Sequence, residues 1–240
     1  MPILKKILSW SLDLILPKYC LGCGKENFYV CESCFNRILI LSSANCFSCG
    51  HRSPTGYVCK RCKNKFHPAL NGLLVSSEWS DLFLRQIIYK YKYHFIKELA
   101  DPLAQLMIKF LEANHYKNLL SANTILIPVP LHKKRLIWRG FNQAELLAQK
   151  ISSRFFIPLN TEVLQRSRDT FPQAEIKNQN NRRNNIRDAF KIVNNSISLR
   201  NKTVILIDDI GTTGSTLEEC AKTLKPLKPK EIWGFIIARG

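Results

Sequence analysis

Four Cys-x-x-Cys pairs between residues 20 and 62 constrain the fold of this chain more than any other feature of its sequence. Two thiolates three positions apart on a tight turn can reach one metal ion, and four thiolates complete the tetrahedral shell that Zn²⁺ prefers. Taken in order, the pairs form two four-cysteine sites, although an interleaved partition would use the same ligands. The sequence therefore predicts two structural Zn²⁺ ions, one held by Cys20, Cys23, Cys31 and Cys34 and the other by Cys46, Cys49, Cys59 and Cys62.

Two other interpretations of the cysteines compete with zinc. Disulfide-stapled modules belong to exported proteins, and the apolar stretch after Lys5 and Lys6 is not followed by a small-residue cleavage site. A thioredoxin-like redox centre uses one Cys-x-x-Cys pair beside a βαβ unit rather than four pairs in succession. We therefore expect zinc rather than disulfides or a redox centre.

Residues 1–19 have the spacing of a short amphipathic helix, which would either cap the zinc sites or lie on a membrane surface. Asp13 interrupts the apolar stretch of this segment, and no stretch of the chain approaches the roughly 20 apolar residues of a spanning helix. The sequence thus predicts no transmembrane segment. A peripheral position at the inner face of the membrane stays open as an alternative to a purely cytoplasmic one.

The character of the sequence changes near residue 70, where we predict a boundary between two domains. Residues 1–70 hold the N-terminal helix and a double zinc ribbon, whereas residues 71–240 alternate apolar strands with amphipathic helices. That alternation is typical of an α/β domain whose parallel sheet is connected by helical crossovers. The predicted strands are 73–79, 124–129, 204–207 and 232–238, and the predicted helices are 82–91, 98–113 and 141–155.

The most informative local pattern is a strand followed by two acids, a loop rich in glycine and threonine, and a helix. The strand is the apolar run 204–207, and the acids are Asp208 and Asp209. A glycine-containing loop at a helix start can turn its amides and hydroxyls toward a phosphate monoester. Two carboxylates beside it could accept hydrogen bonds from the vicinal hydroxyls of a ribose, or hold Mg²⁺ through water. The pattern predicts a 5-phosphoribosyl ligand, with its phosphate bound by Ile210, Gly211, Thr212, Thr213, Gly214, Ser215 and Thr216.

This stretch resembles the motif for phosphoribosyl pyrophosphate (PRPP) of type I phosphoribosyltransferases. It matches that motif at both acids and at Thr212, Thr213, Gly214 and Thr216. The resemblance implies that PRPP binds together with Mg²⁺ and that Asp208 and Asp209 hold the ribose during catalysis. It also implies that a cationic loop after the 124–129 strand grips the pyrophosphate. The residues of that expected loop are His132, Lys133, Lys134, Arg135 and Arg139.

Nearly the whole chain resembles the ComF family, the competence-associated proteins that join a double zinc ribbon to a phosphoribosyltransferase-like domain. The matching segments are the four cysteine pairs, Pro128-Val-Pro-Leu-His, Arg139-Gly-Phe-Asn-Gln and Asp208-Asp-Ile-Gly-Thr-Thr-Gly. This resemblance implies a cytoplasmic bacterial protein of natural transformation or DNA utilisation that acts on incoming single-stranded DNA. Components of the DNA-uptake machinery would be its protein partners.

The charge distribution agrees with a polyanionic ligand. The chain holds 36 Lys and Arg against 18 Asp and Glu, which is a formal net charge of +18. Residues 132–191, next to the predicted site, hold 13 Lys and Arg against 5 Asp and Glu. Such a field attracts polyphosphates and nucleic acid strands. The segment Tyr89-Lys-Tyr-Lys-Tyr-His-Phe could stack unpaired bases if its rings reach solvent, or it could be a helix end with half-buried tyrosines.

Three functions stay open on the sequence alone. The first is a DNA-uptake protein that binds PRPP with Mg²⁺ and binds single-stranded DNA. The second is a salvage phosphoribosyltransferase, in which an acceptor attacks the ribose and pyrophosphate leaves. The third is a zinc-dependent nucleic-acid scaffold with a vestigial sugar-phosphate site. We favour the first because the resemblance to the ComF family covers nearly the whole chain, whereas no binding site for an acceptor base is recognisable in the sequence.

Overall fold

The computed structural model describes residues 18–114, 116–171, 179–193 and 198–240. The amphipathic helix predicted for the N-terminus falls almost entirely on residues 1–17, which lie outside the described residues. Among those described, no helix has both the length and the apolar composition needed to cross a membrane.

A parallel sheet forms the centre of the molecule, as the sequence predicts. Its strand order is β1-β7-β5-β2, and the short strand β6 also pairs with β7. All of these pairings are parallel, with registers such as Ile125 opposite Val204 and Ile205 opposite Trp233. The strands of this sheet are β1 (Gly72–Glu78), β2 (Thr124–Pro128), β5 (Thr203–Ile207), β6 (Ile210–Gly211) and β7 (Glu231–Arg239). A separate antiparallel pair consists of β3 (Leu164–Arg166) and β4 (Phe190–Ile192).

Helices cover both faces of the sheet, and two short helices belong to the cysteine-rich segment. The helices are α1 (Glu32–Phe35), α2 (Lys60–Phe66), α3 (Leu82–Tyr93), α4 (Ala100–Ala113), α5 (Lys133–Arg139), α6 (Gln143–Phe155), α7 (Gln179–Ile186) and α8 (Ser215–Leu224). The helix predicted from residue 141 begins at Gln143, because Asn142 caps it by accepting a hydrogen bond from the amide of Ala144 at 3.2 Å. The same Asn142 donates to the carbonyl of Val129 at 3.1 Å, which fixes α6 against the end of β2.

The core lies in two layers, one on each face of the sheet. Alternate residues of β5 point to opposite faces, so Ile205 and Ile207 pack with α3, α4 and α6, whereas Val204 and Leu206 pack with α8. The cysteine-rich segment contributes to both layers. Its side chains in the first layer include Phe35 and Ile38, and those in the second layer include Cys46, Phe47, Val58 and Cys62. Both ribbons are therefore built into the packing of the sheet.

The parallel arrangement decides where the functional groups meet. Carboxyl ends of parallel strands lie at one edge, and ligands of α/β proteins bind in the crevice outside that edge. The amide of Val129, just after β2, donates to the carbonyl of Ile207 at the end of β5, at 2.9 Å. As a result the cationic segment that follows β2 and the acid pair that follows β5 leave the sheet side by side.

One close approach at the opposite end of the sheet allows a stability test. A Cβ added to Gly72 would lie 2.2 Å from the ring of Trp233 and 2.4 Å from the carbonyl oxygen of Gly56. We expect Gly72→Ala to lower the free energy of unfolding by about 2–3 kcal/mol, since the backbone cannot yield as a side chain would. Gly140→Ala is the control, because Gly140 has a φ of 76° but open space around it. Urea unfolding that shows a smaller loss for Gly72→Ala than for Gly140→Ala would contradict this packing.

Candidate functional site

The cysteines form two clusters with the geometry of metal sites. In each cluster the four sulfur atoms lie within 4.8 Å of one another, and the members are Cys20, Cys23, Cys31 and Cys34 in the first and Cys46, Cys49, Cys59 and Cys62 in the second. The sulfur atoms are thus grouped as in the sequential partition rather than the interleaved one. The Sγ atoms are 3.6 Å apart for one pair in the first cluster and 3.7 Å apart for one pair in the second. A tetrahedron with Zn–S bonds of about 2.3 Å has S–S edges of about 3.8 Å, so both clusters fit Zn²⁺.

Backbone amides favour thiolates in both clusters, whereas the crowding of four sulfur atoms requires a cation if all of them are to be thiolates. The amide of Cys31 donates to the sulfur of Cys20 at 3.3 Å, and the amide of Cys59 donates to the sulfur of Cys46 at 3.4 Å. Such bonds stabilise negative charge on sulfur. Burial and the neighbouring cysteines raise the pKa of Cys34 to about 12. A bound Zn²⁺ would offset this by holding all four sulfurs as thiolates.

A cavity of about 790 Å³ opens at the carboxyl edge of the sheet. The loop between β5 and α8 forms one wall of it, with Gly214 at a φ of 73° directly before the first turn of α8. Thr213 does not line the cavity, and its hydroxyl lies 2.8 Å from the Ser215 hydroxyl and accepts from the Ser215 amide at 3.3 Å. The predicted phosphate-binding residues that line the cavity are Ile210, Gly211, Thr212, Gly214, Ser215 and Thr216. The loop is thus open to a ligand, and its own side chains do not fill the cavity.

The two acids lie on the floor of this cavity in different environments. Asp209 is 5% exposed and forms an ion pair with Lys92 of α3, with 2.9 Å between Nζ and Oδ1. Burial, followed by the charge of Asp209, raises the pKa of Asp208 to about 7, although Lys92 opposes the rise. Near pH 7 Asp208 is therefore about half ionised, so the pair carries about half a negative charge beyond the one that Lys92 balances. Such a site favours a ligand that donates hydrogen bonds or brings a cation.

The segment predicted as a cationic loop is a helix, and this corrects the sequence analysis. Residues 133–139 contain no glycine or proline and favour helix, until Gly140 ends α5 in a left-handed conformation with its amide donating to Leu136. Arg135 and Arg139 are four residues apart and so share one face, which lines the cavity. His132, Lys133 and Lys134 do not line it. Lys134 is exposed and pairs with Asp169, whose other oxygen lies 3.6 Å from Nδ1 of His132.

Several buried donor atoms on this wall have no acceptor among the described residues. Arg166 at the end of β3 is only 6% exposed, and its guanidinium donates to the Thr170 hydroxyl. Among the residues that the structure describes, the Nε atoms of Arg139 and Arg166 and the Nε2 atom of Gln143 have no hydrogen-bond acceptor. Burial lowers the pKa of both arginines from the usual value, yet an arginine stays protonated in proteins. Buried donors without acceptors are costly, so an anionic ligand would offset this cost.

Three residues that line the cavity were not predicted from the sequence as site residues, namely Lys92, Arg166 and Gln143. Lys92 belongs to the aromatic and basic segment at the end of α3, and Gln143 belongs to the Arg139-Gly-Phe-Asn-Gln stretch, so both carried a weak signal. Nothing in the local sequence marks Arg166, because it reaches the cavity through the pairing of β3 with β4. Tertiary structure alone brings these three side chains to the acids and the loop.

Comparison with known proteins agrees with both parts of this architecture. A family model described as a double zinc ribbon domain matches residues 11–63, and one described as a phosphoribosyl transferase domain matches residues 140–238. Competence protein F of Haemophilus influenzae is 30% identical over 86% of this chain and 89% of its own length. DNA utilization protein YhgH of Escherichia coli O157:H7 is 29% identical over 81% of this chain and 83% of its own length. Competence protein ComFC of Bacillus subtilis is 27% identical over 83% of this chain and 79% of its own length.

The unequal environments of the two acids predict opposite effects on stability. Asp208→Asn removes a carboxylate that is held above its normal pKa, so we expect the free energy of unfolding to rise by about 2 kcal/mol at pH 8. The penalty in the wild type develops as the pH rises from about 4, where an unfolded Asp ionises, to about 7, where the folded one does. The gain should therefore vanish near pH 4. Urea unfolding across this pH range measures it.

Asp209→Asn is the matched control for that measurement. It leaves Lys92 without its partner in a mostly buried position, so stability should fall at pH 8 by about 1–3 kcal/mol. If Asp208→Asn destabilised the protein at pH 8 as much as Asp209→Asn does, the assignment of the raised pKa to Asp208 would be wrong.

Proposed function

Because this chain belongs to the family of competence protein F, the ComF family, we propose that it serves DNA uptake or utilisation by binding PRPP and single-stranded DNA. PRPP would occupy the cavity together with Mg²⁺, and the strand would follow the basic and aromatic surface at the rim of the cavity. The proposal carries to this chain what the names of its relatives say about them.

The observation that carries the PRPP proposal is the order of chemical groups around one cavity. The loop at the start of α8 offers amides and hydroxyls, the acid pair lies on the floor, and Arg135, Arg139 and Arg166 lie on the remaining wall. PRPP has a matching order, with a phosphate monoester, a ribose diol and a pyrophosphate. A helix start suits the monoester, carboxylates accept from the diol, and guanidinium groups bind pyrophosphate in pairs of hydrogen bonds.

Mg²⁺ fits the same arrangement through the donors it prefers. The Asp208 and Asp209 carboxylates are hard oxygen ligands of the type that binds Mg²⁺ directly or through water. When bound, Mg²⁺ would neutralise part of the negative charge of the pyrophosphate group. Lys92 already balances Asp209 within the free protein, so the ribose hydroxyls and the cation would meet a site of low net charge. Specific binding would then depend on both acids rather than on overall charge.

A transferase reaction is the second candidate, and the rest of the cavity favours it. Trp79, Tyr89, Tyr93 and Trp138 also line the cavity, beyond the acids and the loop. A planar acceptor could stack there beside the ribose. In such a reaction the acceptor's lone pair forms the new bond to C1 of the ribose while the bond to pyrophosphate breaks. Asp208 and Asp209 would hold the ribose, and the arginines would stabilise the departing pyrophosphate.

The single-strand proposal rests on aromatic rings that are exposed at the rim of the cavity. The three tyrosines of α3 differ in exposure. Tyr91 is fully buried, and its hydroxyl donates a hydrogen bond to the carbonyl of Gln143, whereas Tyr89 is 55% and Tyr93 is 45% exposed. The rings of Tyr89 and Tyr93 are 5.0 Å apart between centroids. Trp138 of α5 is 60% exposed at the same rim. Base stacking on such rings contributes about 1–3 kcal/mol per base, whatever the sequence of the strand.

Calorimetric titration of the zinc-loaded protein with PRPP, with and without Mg²⁺, tests the cavity. We expect binding that requires Mg²⁺, and we expect Arg139→Ala to weaken it about 10- to 100-fold, since a charge-assisted bond contributes about 1.5–3 kcal/mol. Lys133→Ala is the control, because it removes the same charge from the same helix outside the cavity. We expect it to change the Kd by no more than about two-fold.

The outcomes of this titration separate the candidate functions. Wild-type protein that does not bind PRPP in the presence of Mg²⁺ would contradict the proposal and favour a nucleic-acid scaffold with a vestigial site. Release of pyrophosphate with one member of a panel of nucleobases would establish the transferase. Binding without turnover across the panel would favour a role in which PRPP is a ligand.

Fluorescence anisotropy with a labelled oligothymidylate tests the strand-binding surface. We expect Tyr93→Ala to weaken binding by about 1–3 kcal/mol and to leave the salt dependence unchanged, because stacking involves no counterion release. Tyr19→Ala is the control, since Tyr19 is similarly exposed, at 50%, but lies next to Cys20 of the first cysteine cluster and does not line the cavity. Equal losses for the two variants would place the strand elsewhere.

A further inference from the structure

The second cysteine cluster lies directly behind the loop that faces the cavity. Phe47 stands between two ligands of that cluster, Cys46 and Cys49, and its side chain is only 8% exposed. A Cβ added to Gly214 would lie 3.6 Å from Cδ2 of the Phe47 ring, so the ring lies within about 5 Å of the Gly214 Cα and leaves room between them for little more than a methyl group. Gly214 is the left-handed residue from which α8 starts. The ring therefore supports the turn of the loop from the side away from the ligand.

A second connection joins the same ribbon to the first turn of α8. The carboxylate of Glu218 accepts hydrogen bonds from the amides of Ala69, at 2.6 Å, and Leu70, at 3.2 Å. These two residues follow α2, which carries the ligand Cys62. The amide of Glu218 in turn donates to the carbonyl of Gly214 at 2.9 Å. The start of α8 is thus held to the second cluster by an aromatic contact and by a pair of charge-assisted hydrogen bonds.

Shared burial makes this connection stiff. Two ligands of the second cluster, Cys46 and Cys62, are 0% and 2% exposed, and they belong to the same packed layer as Leu217 and Cys220 of α8. Close-packed interiors transmit displacements because they contain few voids. A change in the spacing of the four sulfurs therefore reaches the helix start and the amides of the loop.

The first cysteine cluster packs against a different wall of the cavity. Its buried members Cys20, Cys31 and Cys34 form a small cluster with Phe83 of α3. A Cβ on Gly22 would lie 2.9 Å from the Phe83 ring. The structure therefore offers an internal control, since one cluster supports the loop and the other supports α3.

We propose that Phe47 is a positioning residue for the phosphate-binding loop and that metal at the second cysteine cluster sets the affinity of this loop for a phosphate monoester. This inference rests on the proposed function, because the monoester is the 5-phosphate of the proposed ligand. With Zn²⁺ bound, the two cysteine pairs are tied together and the Phe47 ring stays against Gly214. Without Zn²⁺, only packing holds the turn between Cys46 and Cys49 in place, and the phosphate-binding loop loses the support of the Phe47 ring. Coupling between two sites is reciprocal, so a sugar phosphate must also raise the affinity of the second cluster for its metal ion.

Ribose 5-phosphate is the probe, because it carries the monoester and the diol without the pyrophosphate. The full-length protein with Cys49→Ser is compared with Cys23→Ser, since each substitution removes the second ligand of a cluster at an exposed position. We expect calorimetry to show about ten-fold or greater weakening for Cys49→Ser and less than about three-fold for Cys23→Ser, within the usual range of coupling between sites. Equal affinity of wild type and Cys49→Ser would overturn the inference.

Phe47→Ala and Phe47→Leu separate positioning from loss of metal. Both variants keep all eight clustered cysteines, so zinc content by mass spectrometry should equal that of the wild type. We expect Phe47→Ala to weaken ribose 5-phosphate binding about five-fold and Phe47→Leu to restore most of it, because leucine refills the contact. Phe28→Ala is the control, because Phe28 lies between two ligands of the first cluster, Cys23 and Cys31, and is 46% exposed. Loss of affinity by Phe28→Ala to the same degree would contradict the role of Phe47.

Equilibrium competition with a chromogenic chelator provides a readout that a purely structural role would not move. We expect ribose 5-phosphate to raise the chelator concentration that removes the ion missing in Cys49→Ser and to leave unchanged the concentration that removes the ion missing in Cys23→Ser. A shift for both ions, or for neither, would overturn the inference. If zinc-loaded wild type binds neither ribose 5-phosphate nor PRPP, the proposed function fails together with the inference, whereas binding retained by Cys49→Ser removes the inference alone.

Discussion

Two adjacent carboxylates at the end of a buried strand are the constraint on which the rest of this structure depends. Asp208 and Asp209 directly follow β5, the strand enclosed by both layers of the core. Among the described residues, Lys92 forms the one ion pair with these acids. Burying like charges side by side costs stability, as the raised pKa of Asp208 indicates. Proteins keep such local conflicts mainly at functional sites. The acids, the loop and the arginine wall then line one cavity, in which Lys92 balances Asp209 but the Nε atoms of Arg139 and Arg166 have no acceptor among the described residues.

The zinc ribbons belong to this arrangement as part of its support. Both clusters pack into the layers that cover the sheet, and each lies behind a different wall of the cavity. A structural Zn²⁺ crosslinks a short segment that is too small to form a core of its own. The ribbons thereby replace the rigid backing that a longer chain would build from further helices or strands. This gives a physical reason for joining metal-binding segments to a sugar-phosphate domain within one chain.

Much of the fold could be predicted from local sequence, because its signals are local. The apolar runs at 124–128 and 203–207 are buried on both faces, and uninterrupted apolar strands are typical of parallel sheets. Spacing favoured the sequential partition of the cysteines, since sequential pairs lie closest along the chain, but it left the interleaved partition open. The loop after the acids was recognisable because glycine and hydroxyl residues occur where a strand gives way to a helix.

What could not be predicted depends on contacts between distant segments. Lys92 meets Asp209 across 117 positions of the sequence, so no window of sequence links them. Arg166 reaches the cavity through a short strand pair, and its neighbours in sequence resemble any polar segment. The cationic segment was expected to be a loop by resemblance, yet its residues favour helix, and the helix selects Arg135 and Arg139 for the cavity over Lys133 and Lys134. Periodicity would have favoured that selection, since the two arginines are four positions apart.

A crystal structure of the zinc-loaded protein grown with ribose 5-phosphate tests the central claim most directly. The account predicts the phosphate within hydrogen-bond distance of the backbone amides of residues 211–216 and the ribose hydroxyls on the two aspartates. Phosphate bound at the arginine wall instead, with the loop empty and the aspartates still paired with Lys92 alone, would contradict it.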